Sequence, residues 1–281
     1  MKKIVVFGLF AVTLLAAAFS ACVKGGSRAA GDSSGAVYTI TVAGSTSVNP
    51  LMEQLIAGYA AVQKDVVFSV SATGSGDGIK AVSAGTAEIG MSSRELTAAE
   101  LGGGIDVHPI AIDGIAVIVN PENIVSGLGV EQIRDIYTGT IDNWEQIGAL
   151  NGGKIAVVSR EPGSGTRGAF EEILKFQDQL VKGAIEFDGT GAIKAEVSRN
   201  KDAIGYISLG SVDKTVKALA VDGAAATNAN VLGGSYKIAR PFLLLTKQGK
   251  PISSQCAEFL KWTLGPEGQA IVKTNWISVA K

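Results

Sequence analysis

The stretch YTITVAGSTSVNP, residues 38–50, contains the pattern on which the fold prediction rests. Its first part, Tyr38–Ala43, is rich in β-branched residues and is predicted as a strand. A turn of glycine and hydroxyl residues, 44–47, follows, and Asn49-Pro50 is typical of an N-cap with proline in the first helical turn. Apolar residues then recur at helical spacing through 51–59. The stretch therefore predicts a strand, a glycine-containing turn and a helix in succession.

The same alternation continues along the chain and indicates an α/β protein with mainly parallel sheets. A long extended stretch at 107–120 is predicted to be interrupted at Asp113-Gly114. The other predicted strands cover 66–71, 88–91, 155–159, 204–208, 217–221 and 236–246, and the other helices cover 79–83, 130–137, 166–176, 256–264 and 267–274.

Composition narrows the class of protein. The chain has 281 residues, which suits one large or two modest domains at roughly 150 residues each. Its 25 Lys+Arg and 26 Asp+Glu give a formal net charge of -1, which argues against a general nucleic-acid binder. At 46% hydrophobic and 18% charged residues the chain is not intrinsically disordered. Glycine is the outlier, because 36 of 281 residues is about 13%, against a usual share of about 7%.

The N-terminus is predicted to direct export. Lys2 and Lys3 precede an apolar stretch, and residues 1–21 are interpreted as a signal peptide. Residues 19–22, FSAC, resemble the lipobox of bacterial lipoproteins, in which the cysteine, here Cys22, is acylated; Phe19 departs from the usual Leu. Residues 22–36 would be a flexible tether. An uncleaved membrane anchor or a secreted soluble protein are the alternatives.

Few residues suggest catalysis or metal binding. Cys256, on a predicted helix, could pair with Cys22 in an oxidising compartment or be a buried apolar thiol. His108, the single histidine, lies in an apolar extended run and is interpreted as structural. No metal-ligand set is recognisable, and the GxxxxGK spacing at 148–154 lacks the Ser/Thr and the following helix of a P-loop. No GxSxG nucleophile elbow occurs.

Three turns rich in glycine and hydroxyl groups precede predicted helices. They cover 44–47, 74–78 and 163–166. In an α/β sheet such turns lie at the carboxyl ends of strands, where ligands bind, and the first N–H groups of a helix favour an anion. Arg160, just before the third turn, suits bidentate oxyanion binding. The alternatives are ordinary helix capping for each turn, and a surface salt bridge with Glu161 for Arg160.

The chain resembles the phosphate-binding proteins of bacterial ABC phosphate importers. The matching segments run in family order over about residues 38–279: AGSTSV at 43–48, TGSG at 73–76, IGMSSR at 89–94, DGIAVIVN at 113–120, WEQIG at 144–148, REPGSGTR at 160–167, IGY at 204–206 and EGQ at 267–269. The resemblance implies the class II periplasmic-binding-protein fold, with two α/β lobes joined by two crossing strands and a ligand cleft between them. Lobe one would comprise 37–113 and 237–281, lobe two 114–236, with crossings near 113–120 and 236–246.

The resemblance also implies the binding residues. The position-by-position matches are Thr46 and Ser47 in the first turn, Ser75 in the second, and Arg160, Ser164, Gly165 and Thr166 in the third. Ser93 stands where some members have the Asp that accepts the proton of hydrogenphosphate, and Pro162 stands where they have a second Asp. We therefore predict that Asp113 accepts this proton, a role that would exclude fully ionised sulfate. The alternative is that Asp113 caps a turn at the hinge.

These observations predict a monomeric binding protein, without catalysis, cofactor, metal or nucleic-acid partner. It would capture inorganic phosphate outside the cytoplasmic membrane and deliver it to an ABC permease and its ATPase. Another tetrahedral oxyanion (sulfate, molybdate or phosphonate) is the alternative ligand. A phosphate-ester enzyme is disfavoured by the missing metal set, P-loop and base. An adhesion or signalling lipoprotein is disfavoured because a vestigial cleft need not retain Arg160, Ser164 and Thr166.

Overall fold

The computed structural model describes residues 37–149 and 152–280. The strands are β1 (Tyr38–Gly44), β2 (Val66–Ala72), β3 (Ile89–Ser92), β4 (Ile105–Val119), β5 (Gly127–Leu128), β6 (Ala156–Arg160), β7 (Ile185–Phe187), β8 (Ala203–Ser208), β9 (Lys217–Ala218), β10 (Ala220–Val221), β11 (Ala239–Lys247) and β12 (Ile277–Ser278). The helices are α1 (Asn49–Val62), α2 (Ser75–Ala84), α3 (Ala98–Leu101), α4 (Val130–Thr138), α5 (Gly165–Leu174), α6 (Gly189–Arg199), α7 (Asn228–Leu232), α8 (Ser254–Leu264) and α9 (Pro266–Asn275).

The main sheet is parallel towards both edges and antiparallel at its centre. Its strand order is β2-β1-β3-β11-β4-β8-β6-β7. β1 pairs in parallel with β2 and β3, and β6 pairs in parallel with β7 and β8. β4 is antiparallel to both β11 and β8. The sequence predicted mainly parallel sheets, and the antiparallel centre was not predicted, since strand direction depends on pairing partners far away in the chain.

β4 passes without a break from one part of the sheet to the other. It pairs with β11 from Ile105 to Gly114 and with β8 from Ile115 to Val119. The predicted interruption at Asp113-Gly114 is therefore wrong. Both residues are paired with β11, Asp113 opposite Arg240 and Gly114 opposite Ala239, and ladder pairing keeps the backbone extended despite two residues that usually favour turns.

Apolar side chains form separate cores in the two halves of the sheet, which we call lobe one and lobe two. In lobe one, α1, α8 and α9 pack on β1, β3 and β11 through residues such as Leu55, Phe242 and Phe259. In lobe two, α4 and α5 pack on β4, β6 and β8 through residues such as Tyr137 and Phe170. Burial of these side chains, at about 25 cal/mol per Å² of apolar surface, is the main force that holds each lobe together.

Two helices begin elsewhere than predicted. Asn49 is not the N-cap of α1; Val48 holds that position, and the buried Ser45 Oγ accepts hydrogen bonds from the Ser47 and Val48 amides. α2 begins at Ser75, not near Ile79, so part of the glycine-rich turn is helical. Gly78 in this helix lies against β1, where a Cβ would be 2.7 Å from the Ala43 carbonyl oxygen. Glycine at 78 therefore serves close helix–strand packing, not turn formation.

The sequence prediction missed β7 and α6. α6, GTGAIKAEVSR, has glycine at its first and third positions and buries only Thr190, Ile193 and Val197 among its residues. A helix with so narrow an apolar face gives a weak periodic signal, because most of its side chains face solvent. The omission matters because α6 contributes to the site between the lobes.

Cys256, the cysteine within residues 37–149 and 152–280, is a buried thiol. Cys256 lies on α8 with no exposed surface, and burial raises its pKa to about 12. Cys22, the predicted signal peptide and the predicted tether lie outside the described residues. Among the helices of residues 37–149 and 152–280, none has the length and apolar content needed to cross a membrane.

Candidate functional site

The ends of three strands and the starts of three helices meet between the lobes. β1 leads into Ser45, Thr46 and Ser47, β3 leads into Ser93, and β6 ends at Arg160. α2, α5 and α6 begin beside them. This arrangement directs helix N-termini, whose first N–H groups lack intrahelical partners, towards one small region.

Lobe one contributes a buried set of serine hydroxyls. Ser45 Oγ donates to Ser93 Oγ over 2.9 Å, and Ser75 Oγ lies 3.3 Å from Ser93 Oγ. The Ser93 amide donates to Ser75 Oγ over 3.1 Å. Ser75 and Ser93 are fully buried, so these hydroxyls are removed from bulk water while keeping donor and acceptor capacity.

The two lobes touch directly through hydroxyl groups. Ser47 Oγ lies 2.7 Å from Thr166 Oγ1 of α5 and 3.1 Å from Thr190 Oγ1 of α6. Thr46 Oγ1 lies 3.3 Å from Thr190 Oγ1 and accepts from the Thr190 amide. The structure therefore corresponds to a closed arrangement, in which side chains from both lobes share one buried polar region.

Arg160 is buried at the centre of this region. Only 1% of the residue is exposed, and its Nη2 donates to Thr46 Oγ1 over 3.0 Å. Its Nη1 is 3.4 Å from Thr190 Oγ1. Glu161 accepts from Nε and Nη2 over 2.7 and 2.6 Å. The ion pair with Glu161 that the sequence suggested is present, but Arg160 is a buried cleft residue and not a surface one.

The loop before α5 fits tightly against lobe one. Ser164 caps α5 by accepting from the Arg167 amide, and the Gly76 amide donates to the Gly163 carbonyl over 3.1 Å. A Cβ on Gly165 would lie 2.1 Å from Ser75 Oγ and 2.8 Å from Ser93 Oγ. Glycine is therefore required at 165 for the lobes to approach this closely.

Asp113 lies on β4, close to the point where this strand passes from lobe one to lobe two, and its hydrogen-bond partners differ from those of the hydroxyl set. Its Oδ1 accepts from Ser208 Oγ over 2.8 Å and its Oδ2 from Arg240 Nη2 over 3.2 Å. Burial raises the pKa of Asp113 to about 6 and lowers that of Arg240 to about 10, because the low-polarity surroundings disfavour both charges more than their attraction favours them.

Of the predicted binding residues, the structure brings together Thr46, Ser47, Ser75, Ser93, Arg160, Ser164, Gly165 and Thr166. Asp113 bonds Ser208 and Arg240 and makes no hydrogen bond to these hydroxyls. Three further residues belong to this region: Ser45, which lies in the predicted first turn, Arg240, and Thr190, which was not predicted. Thr190 had a recognisable signal, because Gly189-Thr190-Gly191 repeats the glycine–hydroxyl pattern of the other turns.

A cavity of about 590 Å³ lies at the rim of the polar region. Thr46 and Glu161 border it together with Gly163, Asp188 and Gly189. A small ligand could reach the edge of the hydroxyl set from this side.

The chemistry of the region suits a small tetrahedral oxyanion. Serine and threonine hydroxyls can each donate to an anion oxygen, helix N-termini add amide donors, and a guanidinium adds a forked pair of donors. Two α/β lobes joined by crossing strands, with buried donors from both at their interface, define a solute-binding protein of the two-lobed periplasmic type.

Comparison with known proteins agrees with this class. Residues 29–267 match the family model described as PBP superfamily domain, and the chain belongs to this superfamily, among the phosphate-binding substrate-binding proteins of ABC transporters. The resemblance and the two-lobed fold predicted from the sequence are confirmed. The boundaries of the lobes stay predictions.

Three similar proteins support this assignment. A crystal structure from Clostridium perfringens, of a substrate-binding protein assigned to a phosphate ABC transporter and containing bound phosphate, is 44% identical with a TM-score of 0.83 and covers 86% of this chain and 99% of its own. The phosphate-binding protein PstS of Bacillus subtilis is 32% identical over 71% of this chain and 67% of its own. Phosphate-binding protein PstS 2 of Streptococcus agalactiae is 42% identical over 44% of this chain and 45% of its own, so the match spans less than half of that relative.

Proposed function

We propose that the protein binds inorganic phosphate between its lobes, outside the cytoplasmic membrane, and delivers it to an ABC permease with its ATPase. The observation that best supports this function is the set of buried hydroxyls from both lobes around Arg160. The named function of the B. subtilis relative and the phosphate bound in the C. perfringens structure support this choice of ligand.

Binding would stabilise the closed arrangement over an open one. Ser47, Thr166 and Thr190 belong to different lobes, so one anion can accept from all of them only when the lobes are closed. A ligand shifts a conformational equilibrium by its difference in affinity for the two states. Phosphate would thus select the closed form, which is the form a transporter could distinguish from the empty protein.

We propose binding without catalysis. The polar region contains hydroxyls, amides and a guanidinium, and the nearby Glu161 carboxylate is held by Arg160 Nε and Nη2. His108 lies on β4 and bonds Thr246 Oγ1 at 2.9 Å. An acid–base or nucleophilic mechanism would require a titratable group placed against the ligand. Sulfate, molybdate or phosphonate remains the alternative ligand class, since each presents oxygens with similar geometry.

The location and assembly are part of the same proposal. The FSAC motif supports acylation at Cys22 and attachment to the membrane surface, with residues 22–36 as a tether. The protein would act as a monomer, because the two lobes of one chain supply donors from both sides of the ligand.

Calorimetric titration of the mature protein with phosphate, sulfate and molybdate at pH 6 and pH 8 tests the function. We expect heat with phosphate and little or none with sulfate. A folded protein that gives no heat with phosphate contradicts the proposal. Release of alcohol from phosphate esters by the purified protein would instead favour an enzyme.

Replacing Thr190 by valine tests the contribution of α6. Valine keeps the shape but removes the hydroxyl that lies near Ser47, Thr46 and Arg160. Losing one such donor should cost about 1 kcal/mol of binding free energy, or roughly fivefold in Kd. Thr215→Val, at an exposed turn, is the control. Equal phosphate affinity in Thr190→Val and the wild type would remove Thr190 from the site.

Replacing Asp113 by asparagine tests its predicted role as proton acceptor. A carboxylate favours a protonated phosphate oxygen and repels sulfate, whereas an amide can donate to either anion. Both Asp113 oxygens have protein partners in the structure, Ser208 and Arg240, so this role requires that one of them also accept from the ligand. In that case Asp113→Asn should reduce the ratio of phosphate to sulfate affinity, measured by competition at pH 7. An unchanged ratio in a folded variant would exclude Asp113 from this role.

A further inference from the structure

A buried ion pair joins the two crossing strands where they pass between the lobes. Asp113 of β4 and Arg240 of β11 are register partners, and each side chain is only 1% exposed. Their closest atoms, Arg240 Nη2 and Asp113 Oδ2, are 3.2 Å apart. Arg240 also lies over the Phe242 ring, with 5.4 Å between its Cζ and the ring centroid.

Each member of the pair has a second partner. Asp113 accepts from Ser208 Oγ at the end of β8, in lobe two. Arg240 Nη1 donates to the Ser93 carbonyl over 3.1 Å, in lobe one. The Arg240 Nε is buried without a hydrogen-bond partner among the described residues, so the guanidinium is not placed to satisfy all of its own donors. Its orientation is set by Asp113 and the Ser93 carbonyl.

Such a pair contributes little net stability. Removing two charges from water costs several kcal/mol per ion, and mutual attraction often fails to recover that cost. The raised pKa of Asp113 and the lowered pKa of Arg240 agree with a dominant desolvation cost. A buried pair that is costly to keep can still be useful if it fixes the position of a functional group.

The Asp113–Arg240 pair holds the Ser93 backbone in place, because Arg240 donates to the Ser93 carbonyl. The Ser93 hydroxyl bonds Ser45 Oγ, the Ser93 amide donates to Ser75 Oγ, and Gly165 of lobe two approaches the same oxygens. A shift of the Ser93 backbone would therefore move three hydroxyls of the proposed site together. Small displacements of donors weaken binding strongly, because hydrogen bonds depend on distance and angle.

We propose that Arg240 is a positioning residue for the ligand site: held by Asp113, it fixes the Ser93 carbonyl and with it the serine hydroxyls of lobe one. This inference rests on the proposed phosphate-binding function. It assigns Arg240 no direct contact with the ligand.

A double-mutant cycle with Arg240→Met and Ser93→Ala tests the proposal. Each single change should raise the phosphate Kd by about tenfold, measured by calorimetry. Because part of the effect of Arg240 passes through the Ser93 hydroxyl, the loss in the double variant should be smaller than the product of the two single losses. Arg199→Met, on α6 with a side chain 67% exposed, is the control and should bind like the wild type. Wild-type affinity in Arg240→Met, or losses that multiply in the double variant, overturns the proposal.

Hydrogen exchange and a second substitution at position 240 extend the test beyond phosphate affinity. Hydrogen exchange of the ligand-free protein should be faster around residues 92–94 in Arg240→Met than in the wild type and Arg199→Met, and unchanged exchange there contradicts the positioning role without any ligand. If Arg240→Met does not fold, Arg240→Lys replaces it, since lysine keeps the charge beside Asp113 but cannot span both partners. A wild type that does not bind phosphate refutes the proposed function, whereas the exchange comparison still tests the placement of Ser93.

Discussion

Replacing Gly165 by alanine should reduce phosphate affinity on the order of ten- to a hundredfold while leaving the protein folded. The added Cβ would lie 2.1 Å from Ser75 Oγ, 2.7 Å from Ser75 Cβ and 2.8 Å from Ser93 Oγ. Overpacking of this kind typically costs 1–3 kcal/mol, and the cost falls on the closed arrangement, where the lobes meet. Alanine is favoured over glycine within a helix, so α5 itself should not be weakened.

Gly163→Ala is the matched control for this variant. Gly163 lies two residues earlier in the same loop, and a Cβ there would meet no heavy atom within 4 Å. Isothermal titration of both variants with phosphate, together with urea unfolding in the absence of phosphate, separates closure from stability. Wild-type affinity in Gly165→Ala would show that the close approach of the lobes is not needed for binding.

Replacing Arg160 by methionine should weaken phosphate binding at least about thirtyfold. Removal of one partner of a buried hydrogen-bonded ion pair costs about 2–5 kcal/mol, and about 2 kcal/mol corresponds to thirtyfold. The change removes the donors to Thr46 and Thr190 and also leaves the Glu161 carboxylate without its cation. An unpaired carboxylate beside the cleft would repel the anion.

The double variant Arg160→Met with Glu161→Gln separates these two effects. If repulsion by Glu161 contributes, the double variant should bind phosphate more tightly than Arg160→Met alone, though less tightly than the wild type. Arg134→Met, on the surface helix α4 with a side chain 37% exposed, is the control for loss of one positive charge. Phosphate affinity unaffected by Arg160→Met would contradict a ligand role for this residue.

Much of the fold was predictable because its signals are local. The strand–turn–helix order at 38–62 follows from short-range periodicity, proline and glycine, and the structure has β1 and α1 there. α6 was missed because it buries few apolar residues, and the break at Asp113 was wrongly predicted because local turn preference was overridden by pairing with β11. Tertiary pairing therefore decided the cases in which local propensity was weak or misleading.

The site was partly predictable for the same reason. Thr46, Ser47, Ser75 and Arg160 lie next to glycine turns, which a sequence displays directly. Thr190 belongs to an equivalent turn but follows a strand that was not recognised. The partners of Asp113 could not be inferred, because Ser208 and Arg240 are 95 and 127 positions away in the chain.

The sequence by itself determined the alternation of strands and helices, the glycine–hydroxyl turns at helix starts and the near-neutral charge, since these depend on neighbouring residues and composition. Only the tertiary structure decided which turns share one buried region and which charges pair. Ser47 and Thr190 meet across 143 positions, and Arg240 reaches Ser93 across 147. Contacts at such separations depend on how β4 and β11 pass between the lobes. This passage places Asp113 beside Arg240 and brings the serine and threonine hydroxyls of the two lobes together around Arg160.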